Sequence, residues 1–422
     1  MLKVLYNLTT IIFYVPYIFL ILIRRLTDKE HSLKFREKIF FNNIVRPKGF
    51  LFWFHVASIG ELNSILPIVN FYLKKDKKYN FLITTVTLSS FNQLEKKFKK
   101  NERVFHQFLP YDLKILVNSF FKNWKPDIVS FVDSEIWPNF ILKIKEKKLP
   151  FVLLNGRITK KTFVRWSMVK KFALEIFKSF SLCITSNKET AEYLKIFQVN
   201  NIKYFGNIKF CSPSNNPEGS SDNDFSSITG KKVWCAVSTH NNEEIFCSKV
   251  HEIIKKSEKN IMTIIIPRHI NRTKAIYSSL KKMGLKIQIK NENDPVDRYA
   301  EIVLVNYYGS VTKYLKSFKQ IFIGKSLLKK LERVGGQNPI EAAKMGCYVY
   351  HGPYVYNFQE VYDYLDEEGF SKKVDKPEIL AKNLIENFHT KLELNKESIN
   401  KLNVYSSRIF DNVINEYKNL IR

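Results

Sequence analysis

The feature that most constrains this chain is a repeated alternation of strand-length apolar runs with helical segments. In the first half GFLFWFHVAS, FLITTVT, VFHQFLP, DIVSFVDS, PFVLLNGR and LCITSN each precede a stretch with helical patterning. KVWCAVST, NIMTIIIPR, EIVLVN, QIFIG and CYVYHGP do the same in the second half. Strands that are apolar along their whole length are buried on both faces, which demands a parallel sheet with helices above and below it. Between the two series, Cys211–Ser227 (CSPSNNPEGSSDNDFSS) loses this periodicity and fills with Ser, Asn, Pro, Gly and Asp, the composition of an interdomain linker. The pattern predicts an α/β chain of two doubly wound parallel-sheet domains, 26–210 and 229–376, joined by a linker over 211–228. A length of 422 residues, beyond what one hydrophobic core supports, agrees with two domains. The tail, 377–422, reads as charged helices that can cross back onto the first domain.

The first residues follow a different rule. Val4–Ile23, VLYNLTTIIFYVPYIFLILI, is an uncharged run about as long as a hydrocarbon core is thick, and Arg24, Arg25, Lys29, Lys34 and Arg36 follow it. Basic residues behind an apolar segment favour the cytoplasmic side, so residues 1–25 read as a membrane anchor with the globular part in the cytoplasm. A signal peptide is disfavoured, because Lys3 is the only charge before the run and no small-residue cleavage site follows it. Asn7, Thr9, Thr10 and Pro16 interrupt the run, which leaves a full span and a helix lying in the interface both open.

With 68 Lys and Arg against 40 Asp and Glu, the formal charge is +28. Such a surface attracts nucleic acid, an anionic membrane face or phosphorylated substrates. The lysines are spread along the chain, however, as solvated faces are. No RNP, KH or zinc motif accompanies them, so nucleic acid is not an expected partner. The cysteines Cys183, Cys211, Cys235, Cys247 and Cys347 are odd in number and form no CxxC pair, which argues against a disulfide framework or a Cys-type zinc site. HExxH and paired His/Asp spacings are absent, His55, His240 and His269 stand alone, and no metal is expected.

Ligands of open parallel sheets sit outside the carboxyl ends of the strands. The polar residues concentrate there, at Ala57–Glu61, Thr84–Ser90, Ser134–Asn139, Asn155–Arg157, Ser238–Glu243, Pro267–His269 and Gly335–Glu341, which the two-domain reading gathers around one crevice. In FHVASIGE, Glu61 follows a glycine at a strand-to-helix turn. It is either a first-turn carboxylate favoured by the helix dipole or a general base that takes a proton from an attacking hydroxyl. SEIWPN puts Glu135 beside Ser134 and Asp133 at a strand end, where the alternatives are helix capping and chemistry, with Pro138 opening the next helix. Pro267 and Arg268 close IMTIIIPR, where a guanidinium fork suits a phosphate or an exposed carboxylate. GGQNPIEAA is a glycine turn entering a helix near Pro339, whose N–H groups suit an anion, with Glu341 one turn on to accept sugar hydroxyls. A plain loop-to-helix junction reads the same way. The usual dinucleotide and P-loop glycine patterns are missing.

FHVASIGE, TTVTLSS, FLPYDL, DSEIWPN, LNGRIT, GNIKF, STHNNEE, IIIPRH, GGQNPIEAA and GPYVYNF, in this order and spacing, resemble the bacterial 3-deoxy-D-manno-oct-2-ulosonic acid (Kdo) transferases. The resemblance runs from the apolar N-terminus to about residue 360. It implies a GT-B fold of two Rossmann-like domains with an N-terminal membrane-anchor helix, and inverting transfer of Kdo from CMP-Kdo to the lipid A precursor, lipid IVA. It also implies an inner-membrane location with anionic lipids as partners, and no cofactor. By motif, Glu61 is similar to the family's general base, while Lys209 and Asp133 resemble its transition-state stabilisers. Pro267, Arg268, Tyr308, Gly309, Ser310, Asn338, Pro339, Ile340 and Glu341 resemble its nucleotide contacts. The chain departs from the family pattern at Asp133, usually Glu, and at Ser310, where Gly-Glu is common. It also departs at Gln337, often His, at Lys325 in a turn usually Gly-Gly-Ser, and at Gly156, usually Ala. A GT-B transferase of another nucleotide sugar, such as a UDP-hexose, is the alternative.

Overall fold

The computed structural model describes residues 2–41, 44–213, 222–390, 394 and 396–421. The chain divides into two compact units, 1–213 with 405–422, and 214–404. Residues 214–221 of the expected linker lie outside the described residues, and Asp222–Ile228 forms a 3-10 helix.

The first unit alternates α1 (Leu2–Leu26), β1 (Phe50–Val56), α2 (Ile59–Lys75), β2 (Tyr79–Thr85), α3 (Leu88–Phe98), β3 (Val104–Phe108), α4 (Lys114–Trp124) and β4 (Ile128–Val132). It continues with α5 (Pro138–Glu146), β5 (Phe151–Gly156), α6 (Lys160–Met168), α7 (Lys170–Phe177), β6 (Leu182–Thr185), α8 (Lys188–Ile196) and β7 (Ile202–Tyr204). The strands form one parallel sheet in the order β3-β2-β1-β4-β5-β6-β7. Successive residues of β1 feed opposite layers, as an extended backbone requires. Trp53 packs against Phe121 and Phe131 at ring distances of 5.7 and 5.4 Å, while Phe52 stacks on Phe81 at 5.1 Å. The strand order reverses between β1 and β4, so the carboxyl ends of these two strands flank the place where such sheets hold ligands.

The second unit runs β8 (Lys232–Thr239), α9 (Glu243–Ser257), β9 (Ile261–Pro267), α10 (Thr273–Lys281), β10 (Ile287–Lys290), β11 (Ile302–Val305), α11 (Val311–Ser317) and β12 (Gln320–Ile323). It continues with α12 (Ile340–Lys344), β13 (Tyr348–His351), α13 (Gln359–Glu367), β14 (Ser371–Lys373) and α14 (Pro377–Thr390). Its parallel sheet has the order β10-β11-β9-β8-β12-β13-β14, reversing between β8 and β12. Cys235 and Val237 of β8 face one buried layer, Trp234 and Ala236 the other. The last helix, α15 (Lys396–Ile421), ends in the first unit. There the Tyr417 hydroxyl lies 2.7 Å from Ser130 Oγ of β4, and its ring packs 6.2 Å from Phe54.

Helix α1 is long and apolar enough to cross a membrane. One stripe of it is nonetheless tied along the first unit. The Tyr6 hydroxyl donates to Asp112 Oδ2 at 2.7 Å, the Tyr14 hydroxyl donates to the Ile39 carbonyl, and Tyr14 and Tyr17 stack on Tyr111. Thr10 and Ile21 are buried on the same stripe, and Arg24 pairs with Glu30, which also accepts from Lys38. The spacing 6, 10, 14, 17, 21, 24 is one face of a 3.6-residue helix. Leu8, Ile12, Val15, Phe19 and Ile23, on the other faces, stay exposed.

Candidate active site

Strand β1 delivers its chain into α2 through Ala57–Gly60. Ser58, with extended φ and ψ, caps the helix by accepting from the Glu61 N–H at 3.3 Å. The Glu61 carboxylate reaches back, accepting from the Ala57 N–H at 2.6 Å and from the Ser58 hydroxyl at 2.9 Å. This reciprocal arrangement is a variant of the capping box, with the carboxylate taking the N–H one residue before the cap in place of the cap's own, and S-x-x-E is the box's signature in sequence. At 8% exposure the carboxyl is largely out of water. Burial first, and then the negative charge of Asp133, push it up to about 7, against the pull of the bonds from Ala57 and Ser58.

Asp133 stands just past β4 with φ of 57°, in the left-handed region. Its Oδ2 meets Lys209 Nζ at 2.5 Å, both side chains being about 15% exposed, and its Oδ1 accepts from Asn155 Nδ2 at 2.6 Å. Asn155 can do this because the β5–β6 register shifts between Leu154 and Gly156, with Asn155 at φ 55°. A bulge of this kind re-aims one side chain at a strand end. Asn155 Oδ1 in turn accepts from the Ile208 N–H at 3.0 Å, which holds the short turn carrying Lys209.

Glu135 makes a separate set of bonds. Its Oε2 takes Trp137 Nε1–H at 2.8 Å and lies 3.2 Å from His55 Nε2. Burial alone would raise its pKa, but the bonds and charge from His55 and the bond from Trp137 outweigh it and hold the carboxyl below its usual value. An ionised carboxylate only accepts, so His55 carries its proton on Nε2 toward Glu135. The fully buried His55 ring is fixed from behind by Thr84 Oγ1, 3.0 Å from Nδ1. Asp112, from FLPYDL, does the capping that SEIWPN leaves undone. Its carboxylate accepts from the Asn139 and Phe140 N–H groups at 3.0 and 3.1 Å, closing the start of α5, and from Tyr6 of α1.

In the second unit Pro267 ends β9 and Arg268 is exposed just beyond it, its N–H donating to the Thr239 carbonyl at 3.0 Å. Tyr308 is exposed and Gly309 has φ of 79°, but Ser310 is buried and turns its hydroxyl toward the Tyr307 carbonyl at 3.5 Å. Asn338 Oδ1 accepts from the Ile340 N–H at 3.1 Å, so this N–H of the GGQNPIEAA turn is already engaged. Pro339 is the N-cap of a helix only five residues long, and Glu341 accepts from the Thr312 hydroxyl at 2.9 Å. The loops after β8 and β12 are joined by Glu243. This wholly buried carboxylate accepts from the N–H groups of His240, Lys325, Ser326 and Leu327 at 2.6–3.1 Å.

The profile of the 3-deoxy-D-manno-octulosonic-acid transferase (kdotransferase) family matches residues 33–212. A 3-deoxy-D-manno-octulosonic acid transferase of Rickettsia bellii is 30% identical over 340 residues, 80% of this chain and 79% of that protein. The chain belongs to the Kdo transferase family. A mitochondrial Arabidopsis thaliana protein assigned to the same activity is also 30% identical, over 80% of this chain and 76% of its own length. Among solved structures, a Listeria monocytogenes protein assigned as a UDP-N-acetylglucosamine 2-epimerase matches 88% of this chain with a TM-score of 0.59 at 13% identity. The Kdo transferase is thus a glycosyltransferase with two parallel-sheet α/β domains of GT-B type.

Within this Kdo transferase the expected residues Asp133 and Lys209 meet directly, and the Asp133 charge acts on Glu61. Aspartate, one methylene shorter than the usual glutamate, still reaches the lysine. Gly156, where the family usually has Ala, sits where a Cβ would fall 2.6 Å from Leu153 Cδ2, so the glycine accommodates that leucine. Sequence reasoning missed the clamp on Glu135 by His55, the bridging role of Asn155, and Glu243. His55 and Asn155 were visible only as polar residues at strand ends, and Glu243 as one of two acids opening a helix.

Proposed function

We propose that this Kdo transferase moves Kdo from CMP-Kdo to the lipid A precursor, lipid IVA, with inversion at the anomeric carbon. The observation that carries the reading is Glu61, a buried carboxyl pushed up to about 7 at the β1/β4 switch point, beside the Asp133–Lys209 pair. A base works best with a pKa near the working pH, and Glu61 takes the proton of the attacking sugar hydroxyl in this scheme. The bonds from Ala57 and Ser58 fix its orientation, so no side-chain freedom is lost when the acceptor arrives. Lys209, oriented by Asp133, supplies positive charge where negative charge develops as the phosphate leaves. Arg268, exposed at the end of β9, meets the departing nucleotide's phosphate. The Tyr308–Ser310 turn and Asn338–Glu341 contribute the remaining nucleotide contacts, with exposed Asn338 the side chain placed to do so, since the Ser310 and Glu341 side chains are bonded within the unit. Helix α1, tied along the first unit by its tyrosines with its other faces exposed and apolar, lies on the cytoplasmic face of the inner membrane.

The test is incubation with CMP-Kdo and lipid IVA followed by mass analysis of the lipid, in which wild-type protein adds Kdo. Glu61→Gln is expected to lower turnover on the order of 10²–10⁴-fold while CMP-Kdo binding is retained. Near-normal turnover in that variant rules Glu61 out as the base.

A further inference from the structure

The N-terminal half of α1 meets the first unit through Tyr6, which bonds Asp112 and packs 6.1 Å from Phe172, but its flank carrying Leu5 and Thr9 stays open. Beside it runs an open groove of about 500 Å³ between α1 and the α6–α7 segment. Leu5 and Thr9 form one wall, and Trp166, Val169 and Phe172 the other. Pro138, which is buried, marks the inner end, and Arg165, which is exposed, the outer one. The groove cannot collapse by a shift of α1, because the Tyr6 hydroxyl is fixed on Asp112, the same carboxylate that caps α5. Helix α6 buries none of its residues, and Met168 beside the groove is 77% exposed. Left to water, so much apolar surface is unfavourable.

Three observations select the occupant. The α1 wall continues into the exposed apolar face of Leu8, Ile12 and Phe19, so whatever covers that face reaches the groove without a break. A lipid layer does this, and a folded protein partner would have to span both. The charge is one-sided: Arg165 lines the groove, Lys161, Lys170 and Lys171 are exposed on the same two helices, α6 and α7, and no acid occurs from Arg157 to Leu174. That suits an anionic head attached to an apolar tail. Finally, the groove adjoins the candidate site. Pro138 follows Glu135 by three residues, and α6 starts three residues after Arg157, whose N–H donates to the Asp133 carbonyl at 3.0 Å.

We propose that this groove holds one acyl chain of the acceptor glycolipid, with Arg165 and its neighbouring lysines meeting an anionic group of the lipid head. The proposal rests on the lipid acceptor named under the proposed function. The chain passes from one apolar medium to another, so the groove contributes less to overall membrane affinity than to the position of the sugar hydroxyl. A misplaced reacting group of this kind costs up to about 10²-fold in rate.

Thr9→Trp fills the groove from its exposed side, and Arg165→Glu reverses the charge at its mouth. Each variant is assayed on lipid IVA and on the same disaccharide bisphosphate with its acyl chains removed. Thr9→Trp is expected to lower kcat/KM on lipid IVA at least about tenfold and to leave the deacylated acceptor within about twofold, which also shows that the variant is folded. Arg165→Glu is expected to weaken both. An equal effect of Thr9→Trp on the two acceptors, or none on either, overturns the proposal. If wild-type protein transfers Kdo to neither acceptor, the functional reading fails, and the groove is then judged by binding alone. Lipid IVA with brominated chains, in non-ionic micelles, quenches Trp166 fluorescence if the groove takes its chain, and Trp166→Phe removes that component. Quenching that Trp166→Phe leaves unchanged, or equal quenching by brominated phosphatidylglycerol, overturns the assignment to the acceptor.

Discussion

Glu61 caps α2 and, in the proposed function, also serves as the base, two readings that the sequence leaves as alternatives. The carboxylate that caps α2 is the same one whose pKa stands near 7, because the box withdraws it from water while Asp133 faces it with a like charge. A base must be ionised, so kcat/KM is expected to fall on the acid side with a limb near pH 7. Asp133→Asn removes the largest charge raising that pKa and leaves Lys209 to lower it, so the limb moves to lower pH while the maximal rate also drops. A pH–rate profile checks this, and a limb that stays in place removes Asp133 from the account. Stability follows the sign of a raised carboxyl: Glu61's contribution is full below its ordinary 4.5 and is lost as pH rises through about 7. At this scale the residue types were legible. The value of the pKa was not, since it depends on β1 and β4 lying side by side, 72 positions apart between Glu61 and Asp133.

At the scale of elements, the alternating long strands and helices were readable from apolar run length, and both sheets follow it. The strands that escaped are β7, β10 and β14, three or four residues each, and all lie at sheet edges. Edge strands are short and only half covered, so they carry too little apolar pattern to be seen. The bulges at Asn155 and Ser238 were hidden for a related reason, because a polar residue with positive φ looks like any loop residue in sequence. Lys325 shows what such a position costs. It stands where the family usually has glycine, at φ 61°, while its own N–H and the next two donate to the buried Glu243 carboxylate. The loop thus keeps the glycine conformation without the glycine. Lys325→Gly retains all four bonds to Glu243 and removes the left-handed penalty, so it is expected to stabilise the protein by about 1 kcal/mol, read as a higher denaturation midpoint. A loss of stability would mean that the lysine side chain contributes more than its backbone costs.

For the molecule as a whole, the unresolved matter in the sequence was whether the apolar N-terminus spans a bilayer or lies along it. Composition is silent on this, because the run of twenty uncharged residues suits both. The structure decides which faces are free: from Tyr6 to Arg24, about 27 Å of helix, one stripe is fixed to Asp112, the Ile39 carbonyl, Tyr111 and Glu30, while Leu8, Ile12, Val15, Phe19 and Ile23 remain exposed. A helix bonded along its length to a globular unit cannot also cross a hydrocarbon core about 30 Å thick, since the unit's polar surface would have to enter with it. Under the proposed function the exposed faces sink partway into the interface, where the basic surface would add attraction to anionic lipid of about 1 kcal/mol for each lysine or arginine near it. The two arrangements differ in where Lys3 ends up. With cysteine placed there by Lys3→Cys, and separately at exposed Lys256 by Lys256→Cys, a membrane-impermeant maleimide added to sealed inside-out vesicles is expected to label both. Labelling at 256 alone, with position 3 reached only after detergent, would mean that the helix has left its tyrosine contacts and crossed the bilayer.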